Sequence, residues 1–427
     1  MSRAQKFLAV FLAITVLFFG FIVFRVWGAK PPATVKLTPI PQGEYDPAVW
    51  GKYYGLEYQT WLKNKEMAPS PTGYGGSVKE QKSVKQTALP HNFKGYPFEK
   101  DYTEDRGHPY SLEDLRTSHR IGPTSKGSCI TCKTPQIEQF YKEMGWGYTQ
   151  RPLSELLDRS QHPVSCGNCH NPETMALRVI NPAFIEGQAR RGIDVTKASR
   201  EEMRSYVCGQ CHAEYYFVPG TFQVVFPWDK GLTPSAMYEY YSANPNNFTQ
   251  DWQHADSKAP MLKAQHPDFE EWQNGTHGKA GVSCADCHMP YMRQQGRKYT
   301  SHWVTSPLKH LNEACSTCHN EGPEWLFERV KTIQDNVWQL QHLAEQKVSR
   351  AHTAIKKASE TANVNQTELA NARELVRKAQ WYWDYVAAAN SMGFHNSVQE
   401  LNTLGQAIDF ANLAIEAANR AAGTNTL

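Results

Sequence analysis

Ten cysteines fall without remainder into five pairs, all spaced C-x-x-C: Cys129/Cys132, Cys166/Cys169, Cys208/Cys211, Cys284/Cys287 and Cys315/Cys318. In four of the pairs the next residue is histidine, at His170, His212, His288 and His319. Two thiols at this spacing reach the two vinyl groups of one porphyrin, and the imidazole that follows is delivered beneath the iron as an axial ligand. C-x-x-C-H is the attachment signature of c-type haem. Zinc ribbons and exported disulfides also use C-x-x-C pairs, but neither requires the histidine. Four of five such positions falling to His by chance has a probability on the order of 10⁻⁵ for independent positions. Five covalent haem c groups are therefore expected, attached outside the cytoplasm where c-type haem is matured.

The first pair departs from the pattern. It reads Cys129-Ile-Thr-Cys132-Lys133, with lysine in the place of the imidazole. Lysine ligates iron only as the neutral amine, so a site that uses it must drive the proton off. Lys133 is thus the expected axial ligand of one chemically distinct haem.

One C-x-x-C-K motif followed by four C-x-x-C-H motifs resembles the pentahaem cytochrome c nitrite reductases that form ammonium. The resemblance runs from about Tyr102 to His395. It includes Arg106-Gly107-His108, Cys208-Gly-Gln-Cys-His-Ala-Glu-Tyr215, Pro260-Met-Leu-Lys-Ala-Gln-His266-Pro, Gly275-Thr-His277-Gly-Lys and Tyr299-Thr-Ser-His302. It implies a catalytic pocket of Lys133, Tyr215, His266 and an arginine, with Arg120 first and Arg116 as the alternative. It also implies second axial ligands for the four histidine-ligated haems on His108, His277, His302 and His395. A calcium ion is implied at the Glu214 and Gln265 side chains with the backbone carbonyls of Tyr215 and Lys263, oxygen donors that suit a hard cation. Nitrite as substrate, a homodimer and a quinol-oxidising membrane multihaem cytochrome as electron donor come with the same resemblance. His91, His119, His162, His254, His310, His342 and His352 are left as structural.

Residues 7–24, FLAVFLAITVLFFGFIVF, form an uncharged apolar run with Arg3 and Lys6 before it and Arg25 after it. This is an export segment. At nearly the ~20 residues that span a bilayer it reads as an anchor ahead of a cleaved signal, for which Val26 and Gly28 offer only a poor cut site. A formal charge of +3 without a basic stripe excludes nucleic acid as an expected partner.

The fold expected is mainly α, a multihaem cytochrome c with a haem-packed core, little β and long C-terminal helices. Residues 1–30 form the signal or anchor and 31–427 a single pentahaem domain. Within it, 31–127 are a lead-in with short helices around residues 45–65 and part of the active site, and 128–320 the haem-binding core. Residues 324–423 are the long helices, a candidate dimer seam. Leu326, Val330, Ile333, Val337, Leu340, Ala344, Val348 and Ala351 keep three-four spacing, the mark of a long amphipathic helix. Two further helices are expected near 368–392 and 398–422. The last should open on a capping box, Ser397-Val-Gln-Glu400, that holds His395 rigidly.

Overall fold

Proline at a first helical turn, where a missing N–H costs nothing, opens the helices that begin at Pro47, Pro182, Pro234 and Pro323. Asp46, Asn181 and Thr233 cap the first three by accepting a backbone N–H through their side chains. Punctuation of this density keeps the elements between residues 47 and 320 short. Among the described residues strand is confined to three antiparallel pairings, Tyr216–Phe217 on Val224–Val225, Trp252–Gln253 on Pro260–Met261, and Tyr291–Gln294 on Arg297–Thr300.

The computed structural model describes residues 2–27 and 39–424. It comprises two units, Met1–Pro39 and Ile40–Leu427. In the first, Arg3–Trp27 is one helix of 25 residues, long enough at about 1.5 Å per residue to cross a bilayer. Phe7, Phe11, Leu12, Ile14, Leu17, Phe18 and Phe19 are exposed on it. The cut site at Gly28 and the start of the lead-in lie outside the described residues.

In the second unit the lead-in carries the expected short helices, Pro47–Gly51, Gly55–Leu62 and Lys63–Lys65. Three long helices close the chain: Pro323–Ser359, Gln366–Ala388 and Ser397–Ala421. Six of the eight positions in the predicted apolar stripe of the first are buried; Ile333 and Leu340 are half-buried. On the third, Ala407, Ala411, Ala414, Ala418 and Ala421 are buried at three-four spacing, small residues that let helices approach closely. One expectation fails. The last helix is capped by Asn396, whose side chain accepts the Gln399 N–H. Glu400 is buried instead, facing Ser391 and Glu271. A short amide at the preceding position reaches the free N–H groups first, and the glutamate is drawn into the interior by its polar neighbours.

Candidate active site and haem cavity

Two of the cysteine pairs, Cys166/Cys169 and Cys284/Cys287, are displayed whole on single helical turns, which aligns thiols three residues apart on one face. Cys166–Cys169 is capped by a box of Ser165 and Asn168, and Cys284–His288 by Ser283 and Asp286. Cys208 ends the Arg200–Gly209 helix, whose own box is Ser199 and Glu202. All ten thiols, with Lys133, line one continuous cavity of about 1350 Å³. None is in a disulfide. Motifs follow one another along the cavity: Cys132 neighbours Cys211, Cys208 neighbours Cys284, and Cys287 neighbours Cys315.

Nine of the sixteen histidines line this cavity, and they are the four that follow cysteine pairs, the four expected opposite them, and His266. The other seven lie elsewhere. Three of those pack together, His254 stacked on His352 at 3.6 Å between ring centroids with His91 edge-on. Ser257, Gln380, Ser349 and Asp256 occupy nitrogens of this trio.

Ring pairs across the cavity have the spacing a shared metal requires. An iron about 2 Å from a ring nitrogen on either side holds two imidazole centroids about 6 Å apart. His170 and His302 stand 6.0 Å apart, His277 and His319 6.2 Å, and His288 and His395 6.3 Å. His212 has two imidazole neighbours, His266 at 6.0 Å and His108, whose protonation is opposed first by burial and then by the His212 ring. Nδ1 is anchored on Met175 O in His170, Thr305 O in His288 and Thr300 O in His302, each at 2.9 Å. This leaves Nε2 for a metal, the usual outer support of a metal-bound imidazole. Burial pushes the imidazoles of His108, His170 and His395 down to about 4, so they stay neutral as ligation demands. The residues present fit four haems held between imidazoles and one held by Lys133.

Tyr215 and His266 line the same cavity as Lys133. Burial, followed by the Cys132 and Cys129 thiols, keeps the Tyr215 phenol protonated far above its ordinary range. The Nε2 of His266 lies 3.6 Å from Asp105 Oδ2. Burial drives the ring down to about 4 although Asp105 pulls the other way. Arg120 lays its guanidinium on the Phe98 ring at 4.2 Å and acts electrostatically on Tyr215, Asp105 and Cys129. Arg116 points elsewhere, donating to the Leu157 carbonyl beside Asp158.

At the expected calcium position Glu214 is fully buried. Its Oε2 accepts the Gln265 N–H at 2.5 Å and its Oε1 the Tyr241 hydroxyl at 2.9 Å, while the Gln265 amide meets the Lys263 carbonyl at 3.3 Å. Burial pushes Glu214 well above the usual carboxylate range and nearby Asp251 up to about 7. A hard cation among these oxygens would relieve both, so the donor set fits calcium.

A family model described as cytochrome c552 matches residues 46–427. The chain belongs to the cytochrome c552 family. Within the family it is 39% identical over 402 residues to the cytochrome c nitrite reductase subunit NrfA of Nitratidesulfovibrio vulgaris, covering 86% of this chain and 76% of that protein. It is 37% identical over 363 residues to the cytochrome c-552 of Bacteroides thetaiotaomicron, covering 83% and 73%. Among solved structures, the cytochrome c nitrite reductase of Desulfovibrio desulfuricans superposes with a TM-score of 0.85 at 35% identity, covering 91% of this chain and 89% of that one. That catalytic subunit is described with two calcium sites. The multihaem cytochrome fold is therefore that of this chain. Asp105 and Asp268, the latter at 3.3 Å from His212 Nδ1, went unread in the sequence. The sole signal was their placement, Asp105 three residues before His108 and Asp268 two after His266.

Proposed function

We propose that this chain reduces nitrite to ammonium, taking six electrons, at a haem c ligated by Lys133 and supplied by four haems that each sit between two imidazoles. The observation that carries the reading is how the cavity divides its ligands. Every C-x-x-C-H imidazole has a second ring in reach, and Lys133 shares its part of the cavity with Tyr215, His266 and Asp105. Bound haem supplies the electrons and the iron that nitrite binds.

The chain's own groups supply the rest. Lys133 binds through neutral Nζ. His170 with His302, His212 with His108, His288 with His395, and His319 with His277 would hold the other four groups. Arg120 contributes a fixed positive charge that draws in the anion. His266, whose Nε2 lies beside the Asp105 carboxylate, takes up a proton from water there and passes it to the oxygens that leave, returning to the neutral ring that burial favours. Tyr215 donates its hydroxyl hydrogen. Glu214 and Gln265, with the carbonyls of Tyr215 and Lys263, would hold calcium, fixing the backbone on which Tyr215 and His266 ride.

Residues 1–30 export the chain and anchor it to the membrane or are cleaved, which places the catalytic domain, 31–427, on the outer side. A homodimer would use the outer faces of the long helices at 324–423, and a membrane multihaem cytochrome that oxidises quinol supplies the electrons. Purified protein given a reduced dye and nitrite should yield ammonium at one per six electrons. Oxidation of the dye without ammonium would return the chain to a plain electron carrier.

A further inference from the structure

Asp268 opens the Asp268–Asn274 helix directly after His266 and Pro267. Its own N–H donates to the His266 carbonyl at 2.7 Å, and the Phe269 N–H donates to the His212 carbonyl at 3.0 Å. Backbone alone thus ties this turn to two histidines of the cavity. The side chain ties in a third. Oδ2 lies 3.3 Å from His212 Nδ1 and accepts from Asn390 Nδ2 at 2.9 Å. Oδ1 accepts the Asn390 backbone N–H at 2.7 Å and lies 3.9 Å from His395 Nδ1.

His395 Nδ1 is buried with no other partner. Once Nε2 of a neutral imidazole is committed to iron, Nδ1 carries the hydrogen and requires an acceptor. Asp268 is within hydrogen-bond distance of the first ring and holds its other oxygen 3.9 Å from the Nδ1 of the second, close to where that hydrogen needs an acceptor. His212 follows the third cysteine pair and His395 pairs with His288 of the fourth; the thiols Cys208 and Cys284 of those two motifs are neighbours. Asp268, Glu271 and His395 also bring ligand atoms within 4.8 Å of one another. A cation there would need a bare Nδ1, which an iron-bound neutral imidazole does not offer.

We propose that Asp268 is a positioning residue shared by two haem centres, accepting Nδ1–H from an axial imidazole of each and setting both reduction potentials with one negative charge. The inference rests on the ligation proposed above. A carboxylate on Nδ1–H makes an imidazole a stronger donor, favouring ferric over ferrous iron and lowering the potential. The two Asn390 donors hold the carboxylate between the rings and temper its basicity.

The test is a spectroelectrochemical titration of the holoprotein, with each low-spin centre followed by electron paramagnetic resonance. In Asp268→Asn, two of the five midpoints should move to more positive values while three stay. In Asn390→Ala, which keeps the backbone donor and removes the side-chain one, the same two should move the opposite way. If Asp268→Asn fails to fold, the Asn390→Ala arm decides alone. Midpoints that stay put, a single midpoint that moves, or a uniform drift of all five would overturn the shared role. Wild-type spectra examine the ligation reading separately. Fewer than four low-spin centres would sink that reading, whereas four low-spin centres with unmoved midpoints in the variants would sink the bridge alone.

Discussion

A primary amine and an imidazole differ in donor character and in reach from the backbone, so Lys133 as the proposed ligand would set both the electronics of the iron it holds and its placement relative to Tyr215 and His266. Lys133→His creates a fifth C-x-x-C-H motif, which the attachment machinery should accept. The variant should retain five haems and lose nitrite reduction sharply, with a changed high-spin spectrum; full activity with an unchanged spectrum would show that the lysine is not the ligand. For His266→Asn a proton donor is lost but no iron ligand, so turnover should fall by roughly 10²–10⁴-fold with haem content and low-spin spectra intact. Loss of a low-spin signal would instead make His266 the partner of His212, which its 6.0 Å ring distance makes a concrete alternative. Lysine and histidine were legible because their chemistry is written in the motif. Asp105 was not, because a carboxylate becomes part of a site only when the chain brings it within 3.6 Å of an imidazole.

Helix ends and buried helix faces hold the charges that ought to govern pH stability. Glu271 and Glu400 meet through Ser391 in a buried pocket, and burial pushes both carboxyls up, Glu400 to about 7. Between the ordinary glutamate value and 7 the folded protein keeps a proton that the unfolded chain has released. This contribution to stability is whole at the acid end and is lost as pH rises through 7. Glu400→Gln should flatten the decline in thermal midpoint between pH 5 and 8, and an unchanged slope would remove this pair from the account. Close backbone approach matters equally at this scale. A Cβ on Gly275 would lie 2.0 Å from the His395 carbonyl oxygen, where the segments bearing His277 and His395 touch. Gly275→Ala should cost about 1–3 kcal/mol of stability by denaturant unfolding. A change below a few tenths would mean that the two segments can part without penalty.

For the molecule as a whole, the haems are the core of the 128–320 region rather than additions to it. A cavity of about 1350 Å³, at roughly 24 cal/mol per Å³ if left empty, would exceed the net stability of about 5–15 kcal/mol that proteins possess. Protein made without haem maturation should therefore be degraded or lack cooperative unfolding, while the mature protein should show an intact mass that includes five haems. A mass for four haems, or a well-folded chain with none, would overturn this. The three long helices bury their apolar stripes against one another and the core, so their amphipathic pattern is accounted for within one protomer.

By itself the sequence determined the cofactor, its number, the one attachment motif that lacks histidine and the long C-terminal helices. Covalent attachment demands fixed spacing along the backbone, and helical burial demands a 3.6-residue period, and both are local rules that a sequence displays. Tertiary structure alone brought His302 to His170, His319 to His277 and His395 to His288, turned Arg116 away to the Leu157 carbonyl while Arg120 acts on Tyr215, made Asn396 the cap in place of Ser397, and set Asp268 between His212 and His395. These depend on contacts between residues up to 132 positions apart, as with Asp268 and Asn390 at 122 and His170 and His302 at 132. No local rule encodes them, because each is settled by the path the whole chain takes around its haems.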